Sequence, residues 1–249
     1  MTPEQIERAA AALVAARKGA AIASLPPDAI PQSEAEAYAV QDAVRAKLGE
    51  KIGGWKVGIS PQGGHWSAPI YASTVAPTPA SVPAGSLKLL GVECEIGFRF
   101  HAPLPPRPQP YTRDEVLAAA SLHPTIEIVD SRYQDFRSLD RLQVLADNYS
   151  NGGLVYGPAA RDWGGIDLVH PPIEVTADGK HFADCTGLQA GTPIELLVAA
   201  VVLANSRGGI APGTVVTTGS HTGLVFAEPG ARIVGDFGRF GRVEVAFPK

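Results

Sequence analysis

Over residues 91–100, GVECEIGFRF, apolar and polar side chains alternate without a break. Val92, Cys94, Ile96, Phe98 and Phe100 share one side of an extended chain, and Glu93, Glu95, Gly97 and Arg99 share the other, the period of a β-strand. PTIEIVD (124–130) repeats the pattern, with Ile126 and Ile128 opposite Glu127, and GGWKVGIS (53–60) sets Lys56 apart from Trp55 and Val57. The last quarter is strand-rich: a hairpin over 172–184 turning at Asp178-Gly179, then strands within 213–220, 230–238 and 242–248.

The first 50 residues follow a different rule. Thr2, Pro3 and Gln5 open a helix that Gly19 stops, and Ser33 with Glu36 opens a second; the proline-bearing 24–33 separates them. Thr112 with Glu115 starts a third helix over 112–121, and the apolar 193–209 reads as a fourth. Segment 61–86, rich in Gly, Pro and Ser, reads as an irregular loop with short extended pieces. These elements predict an α+β fold: a small helical N-terminal part and a mixed β-roll or barrel body, divided as 1–85 and 86–249.

Strand parity turns the polar faces into a chemical question. Two residues of rise hold Glu93 and Glu95 roughly 6–7 Å apart. Together with Glu127 they either face solvent, as polar strand positions commonly do, or supply carboxylate oxygens to a hard cation such as Mg²⁺. Lys56 is either a solvated strand lysine or a cation set beside a bound anion. Asn148 and Ser150, in DNYSNGG, are turn formers or substrate hydrogen-bonding groups. Gly219 and Ser220, opening GSHTG, fit a tight turn whose N–H groups could take a carboxylate. Arg132 either pairs with Asp130 or neutralises a ligand carboxylate. His101, His123, His170 and His181 lack metal-ligand spacing.

Composition narrows the class. The 249 residues carry a net charge of −4 with no Lys/Arg cluster, which argues against a nucleic-acid partner. Glu4, Glu7, Arg17 and Lys18 break up the apolar N-terminal stretch, so neither a secretory signal nor a membrane span is expected. Cys94 and Cys185 form no close motif, and the expected location is cytoplasmic, with reduced thiols.

GWKVGIS, GVECEIGFRF, PTIEIVDSRY, LADNYSNGGLVYGP and the segment from PGTVVTTGSHTG to RVEVAF resemble, in order and spacing, the 2-keto-4-pentenoate hydratase and 4-oxalocrotonate decarboxylase branch of the fumarylacetoacetate hydrolase superfamily. The resemblance implies Mg²⁺ or Mn²⁺ held by Glu93, Glu95 and Glu127, a catalytic lysine at Lys56, a short 2-keto acid substrate from aromatic catabolism, and a homodimer or larger homo-oligomer. Hydration of a 2-keto-4-pentenoate is the first expectation. A 2-keto acid decarboxylase, an acylpyruvate-type C–C hydrolase and a non-catalytic small-acid binder are its rivals. One departure stands out: residues 59–90 hold no Asp or Glu, where hydratases of the branch carry an acidic residue in a longer segment. His65, next to Gly63, Gly64 and Trp66, is the replacement expected, on a mobile lid over 61–75.

Overall fold

The computed structural model describes residues 1–160 and 163–249. Helices α1 (Pro3–Lys18) and α2 (Glu34–Leu48) precede strands β1 (Ile52–Ile59), β2 (His65–Tyr71), β3 (Val75–Pro77) and β4 (Ala80–Ser81). The long β5 (Gly91–Phe100) is followed by α3 (Arg113–Ala118), β6 (Ala120–Val129), α4 (Arg141–Ala146) and β7 (Asn151–Tyr156). The hairpin β8 (Glu174–Ala177) and β9 (Lys180–Ala183) leads to α5 (Pro193–Asn205). Strands β10 (Val215–Ser220), β11 (Val225–Phe226), β12 (Arg232–Asp236) and β13 (Arg242–Ala246) come last.

The expected caps form. Thr2 and Gln5 make a capping box on α1, Thr112 and Glu115 on α3, and Thr192 and Glu195 on α5. On α2 the Ser33 hydroxyl accepts from the Glu36 N–H, but the Glu36 carboxylate turns to the Met1 ammonium and the Gln32 N–H. Gly49, at φ +67°, ends α2 in the left-handed conformation that suits a residue without Cβ. Helix α3 is shorter than expected because its tail enters β6, and α5 stops at Asn205, short of residue 209.

Eight strands make one mixed sheet in the order β2-β1-β10-β5-β6-β7-β3, with β11 paired to β5; five make a second, β4-β13-β12-β8-β9. The large sheet curls until β2 packs against β7, and the small sheet covers β6 and β7 from outside. This is the α+β roll expected. The apolar face of β5 (Val92, Cys94, Ile96, Phe98 and Phe100) is at most 1% exposed and meets Ile233, Val243 and Val245 of the small sheet. A second core joins α1 and α2 through Leu13, Val40 and Val44 to Trp66, Tyr133 and Leu145.

Two placements correct the sequence reading, and a third decides between its alternatives. Residues 65–71, expected within an irregular mobile loop, form β2, which pairs antiparallel with β1 from Ile52↔Tyr71 to Ile59↔His65. That leaves only a short turn before His65, where the Ser60 N–H donates to the Gly64 carbonyl. A division at residue 85 cuts the large sheet, because β1 and β2 lie in the same sheet as β5. The polar side of β5 is interior too: Glu95 is 2% exposed, so this face lines the hollow of the roll.

Gly97 sits on that inner face. A Cβ there would lie 2.5 Å from the Thr125 methyl and 3.3 Å from the Val216 carbonyl. Gly97→Ala is therefore expected to destabilise the fold by about 1–3 kcal/mol, the usual cost of overpacking, read as a lowered urea midpoint with an unchanged slope.

Candidate active site

The inner face brings together residues from four adjacent strands. Parallel pairing of β1 with β10 sets Lys56 beside Thr217, and β10 pairs with β5 through Ser220↔Glu95. Across β5 and β6, Glu93 is the register partner of Glu127. The β10 ladder shifts register between Thr217 and Ser220, and Gly219 lies there at φ +100°. That irregularity aims the Gly219 N–H at the Glu95 carboxylate, 2.7 Å away.

The three glutamates meet: one carboxylate oxygen from each lies within 4.8 Å of the others. Glu127 accepts from the Lys56 ammonium at 2.6 Å and from the Asn151 amide at 2.9 Å. Glu95 accepts from the Thr217 hydroxyl as well as from Gly219. Burial, then the neighbouring Glu127 charge, pushes the Glu93 carboxyl up to about 7 against the opposing pull of Lys56. Burial followed by the Glu127 and Glu93 charges pushes Glu95 well above the usual carboxylate range. Burial lowers the Lys56 pKa, but Glu127, Glu93 and Glu95 outweigh it and keep the ammonium charged. With every group ionised, three carboxylates against one ammonium leave two negative charges in a buried pocket. Such an all-oxygen donor set fits one hard divalent cation.

Above the cluster opens a cleft of about 560 Å³. Its walls are mostly apolar, including Val129, Leu139, Val144, Leu188 and Leu224, with Ser150, Gly219 and Ser220 among the polar lining. The Ser150 hydroxyl is buried without a hydrogen-bond partner, and the Ser220 hydroxyl lies beside the Glu93 carboxylate. Tyr149 stacks on Trp66 with centroids 3.8 Å apart and planes 12° off parallel, and its carbonyl accepts from Lys56 at 3.1 Å. Asn148, Tyr149 and Ser150 all have φ between +51° and +58°. This strained run is framed by the buried Arg132, which donates to Asp147 from Nε at 2.5 Å, to the Asp147 carbonyl and to the Asn151 carbonyl. Arg132 thus faces acids of its own chain: Asp147 first, and Asp130 at 3.5 Å.

Two expected site residues fall elsewhere. His65 opens β2 exposed and outside the cleft lining; Trp66 turns inward to Tyr149, and strand alternation turns its neighbour away. Asn148 is buried but does not line the cleft; Asn151, three residues on, makes the contact to Glu127. Sequence reasoning passed over Asn151, Tyr149 and the cleft arginines Arg137 and Arg141.

No family model matches the chain. It is 28% identical over 230 residues to a 4-oxalocrotonate decarboxylase of Pseudomonas putida, spanning 86% of this chain and 85% of that protein. Identity to the protein of the same name from Pseudomonas sp. (strain CF600) is 29% over 218 residues, 80% of each. The solved 4-oxalocrotonate decarboxylase from Pseudomonas putida G7, complexed with magnesium and adipate, superposes with a TM-score of 0.81 at 26% identity, over 99% of this chain and 98% of that one. These relatives bear out the resemblance to the 2-keto-4-pentenoate hydratase and 4-oxalocrotonate decarboxylase branch of the fumarylacetoacetate hydrolase superfamily. Fumarylpyruvate hydrolase from Pseudomonas aeruginosa, solved with Mn²⁺ and pyruvate, shares the fold at 15% identity, with a TM-score of 0.54 over 78% of this chain and 88% of that one. Within this superfamily frame, Glu93, Glu95 and Glu127 are the described His, Cys, Asp or Glu side chains that converge closely enough to hold a metal ion.

Replacing Glu95 with Gln removes one anionic donor while keeping its shape. Mn²⁺ affinity, measured calorimetrically, is expected to fall by at least about a hundredfold, with the circular dichroism spectrum unchanged. Wild-type affinity in that variant would exclude Glu95 as a ligand.

Proposed function

We propose that this chain is a divalent-metal-dependent decarboxylase of a short, unsaturated 2-oxo dicarboxylic acid of the 4-oxalocrotonate type, and not the hydratase expected first. The observation that carries the choice is the titratable lining of the cleft: Lys56, Glu93, Glu95, Glu127, Tyr149 and two arginines, with no His, Asp or Cys among the described lining residues. Adding water across a distal double bond calls for a separate group to deliver protons to remote carbons. Losing CO₂ from a vinylogous β-keto acid calls chiefly for an electron sink at the 2-oxo group. The decarboxylase names and the good superposition support the same reading.

Glu93, Glu95 and Glu127 would hold Mg²⁺ or Mn²⁺, which supplies Lewis-acid polarisation of the 2-oxo acid when bound. The Lys56 ammonium, fixed by Glu127 and the Tyr149 carbonyl, places a positive charge beside the oxygen on which negative charge gathers. The unpartnered Ser150 hydroxyl is available to the near carboxylate. In the reaction, the bond to the distal carboxylate carbon breaks, and its electron pair moves through the conjugated double bond onto the 2-oxo oxygen. CO₂ leaves, and the resulting dienolate takes up one proton. The apolar wall and the Trp66–Tyr149 stack limit water around the reacting chain.

The test is an ultraviolet assay of 4-oxalocrotonate, 2-hydroxypenta-2,4-dienoate and an acylpyruvate, after EDTA treatment and after restoring Mg²⁺. Mg²⁺-dependent CO₂ release from the first alone is expected; hydration without decarboxylation would overturn the reading. Lys56→Ala is expected to lower kcat by about two orders of magnitude with Mn²⁺ affinity undiminished. Turnover within a few-fold of wild type would remove Lys56 from the chemistry.

A further inference from the structure

The cleft lining also carries two arginines. The turn Phe136–Ser138 and helix α4 contribute Arg137 and Arg141 to its lining, together with the apolar Phe136, Leu139 and Val144. The two arginines are not equivalent. Arg141 Nη2 donates to Glu34 of α2 at 2.7 Å, which ties that side chain to α2, while its Nη1 is buried without a partner. Arg137 is exposed and makes no ion pair among the described residues. Its guanidinium lies 5.7 Å from the Phe136 ring centroid and 5.6 Å from that of Phe226. The neighbouring Asp135 carboxylate is used locally, accepting from the Arg137 backbone N–H at 3.2 Å. Phe226 is 45% exposed, unusual for so large an apolar side chain, and it flanks this guanidinium.

We propose that Arg137 reads the carboxylate that the reaction removes, making the cleft selective for the dicarboxylic substrate over its monocarboxylic product. The inference rests on the decarboxylase reading above. A guanidinium held beside aromatic faces keeps its planar fork of donors for a carboxylate, which it can engage bidentately. The contact disappears with the CO₂, so the product loses an anchor that the substrate had. Because the ion pair stabilises the carboxylate before it is lost, it lowers KM without raising kcat.

The experiment compares wild type and Arg137→Gln, both loaded with Mg²⁺, by calorimetric titration with 2-oxoadipate and with 2-oxohexanoate, acids that differ only at the distal end. Wild type is expected to bind 2-oxoadipate about tenfold more tightly at low ionic strength, a preference that shrinks as salt screens the exposed charge. Arg137→Gln is expected to erase the preference and leave 2-oxohexanoate affinity unchanged. With 4-oxalocrotonate, its KM should rise about tenfold with kcat equal to or above that of wild type. A preference that survives in the variant, a wild type without preference, or a fall in kcat at constant KM would overturn the proposal. Equal binding of both acids to wild type removes only Arg137's role; binding of neither removes the active-site reading with it.

Discussion

Mutual repulsion among three converging carboxylates, two of them buried, is the constraint around which this fold is arranged. At an effective dielectric near 20, two unit charges 4 Å apart repel by about 4 kcal/mol. A hydrogen bond to a charged group returns about 1.5–3 kcal/mol net. The Thr217 hydroxyl, the Gly219 N–H and the Asn151 amide orient Glu95 and Glu127 and offset part of that repulsion. Lys56 adds one unit of positive charge. The strand order β1-β10-β5-β6 is the arrangement that delivers this lysine to the acids.

A second layer holds the frame. Three consecutive non-glycine residues with positive φ cost on the order of 1–3 kcal/mol each, so the 148–150 run persists only because its surroundings dictate it. Arg132 and Asp147, both buried, pair with each other, and Arg132 also binds the carbonyls on either side of that run. The result places the Tyr149 carbonyl on Lys56, its ring on Trp66, and the Asn151 amide on Glu127. One buried ion pair thus sets three contacts in the cleft. Removing either partner would leave the other charge buried and alone.

Much of this was legible in the sequence, for a simple reason. A strand's period of two assigns each side chain a face, so Glu93, Glu95, Glu127 and Lys56 were separated from their apolar neighbours before any coordinates. Parity says nothing about which strands are neighbours, however. The meeting of Lys56 with the glutamates depends on the parallel β1–β10 pairing, which no local signal encodes. His65 was misplaced because glycine-rich sequence reads as loop, whereas β2 begins at that residue and Trp66 takes the inward position. Asn151 was missed because its reach to Glu127 follows from the left-handed run before it, and residues other than glycine rarely announce such a conformation.

The parallel pairing of Lys56 with Thr217 joins segments from opposite ends of the chain. Closing so long a loop is slow compared with forming the β5–β6 hairpin, in which Glu93 already faces Glu127. The pairing that brings the acids together therefore closes a far shorter loop than the one that brings their lysine. A cation that binds the folded cluster and not the unfolded chain would relieve the repulsion there, and so add to stability as well as to chemistry.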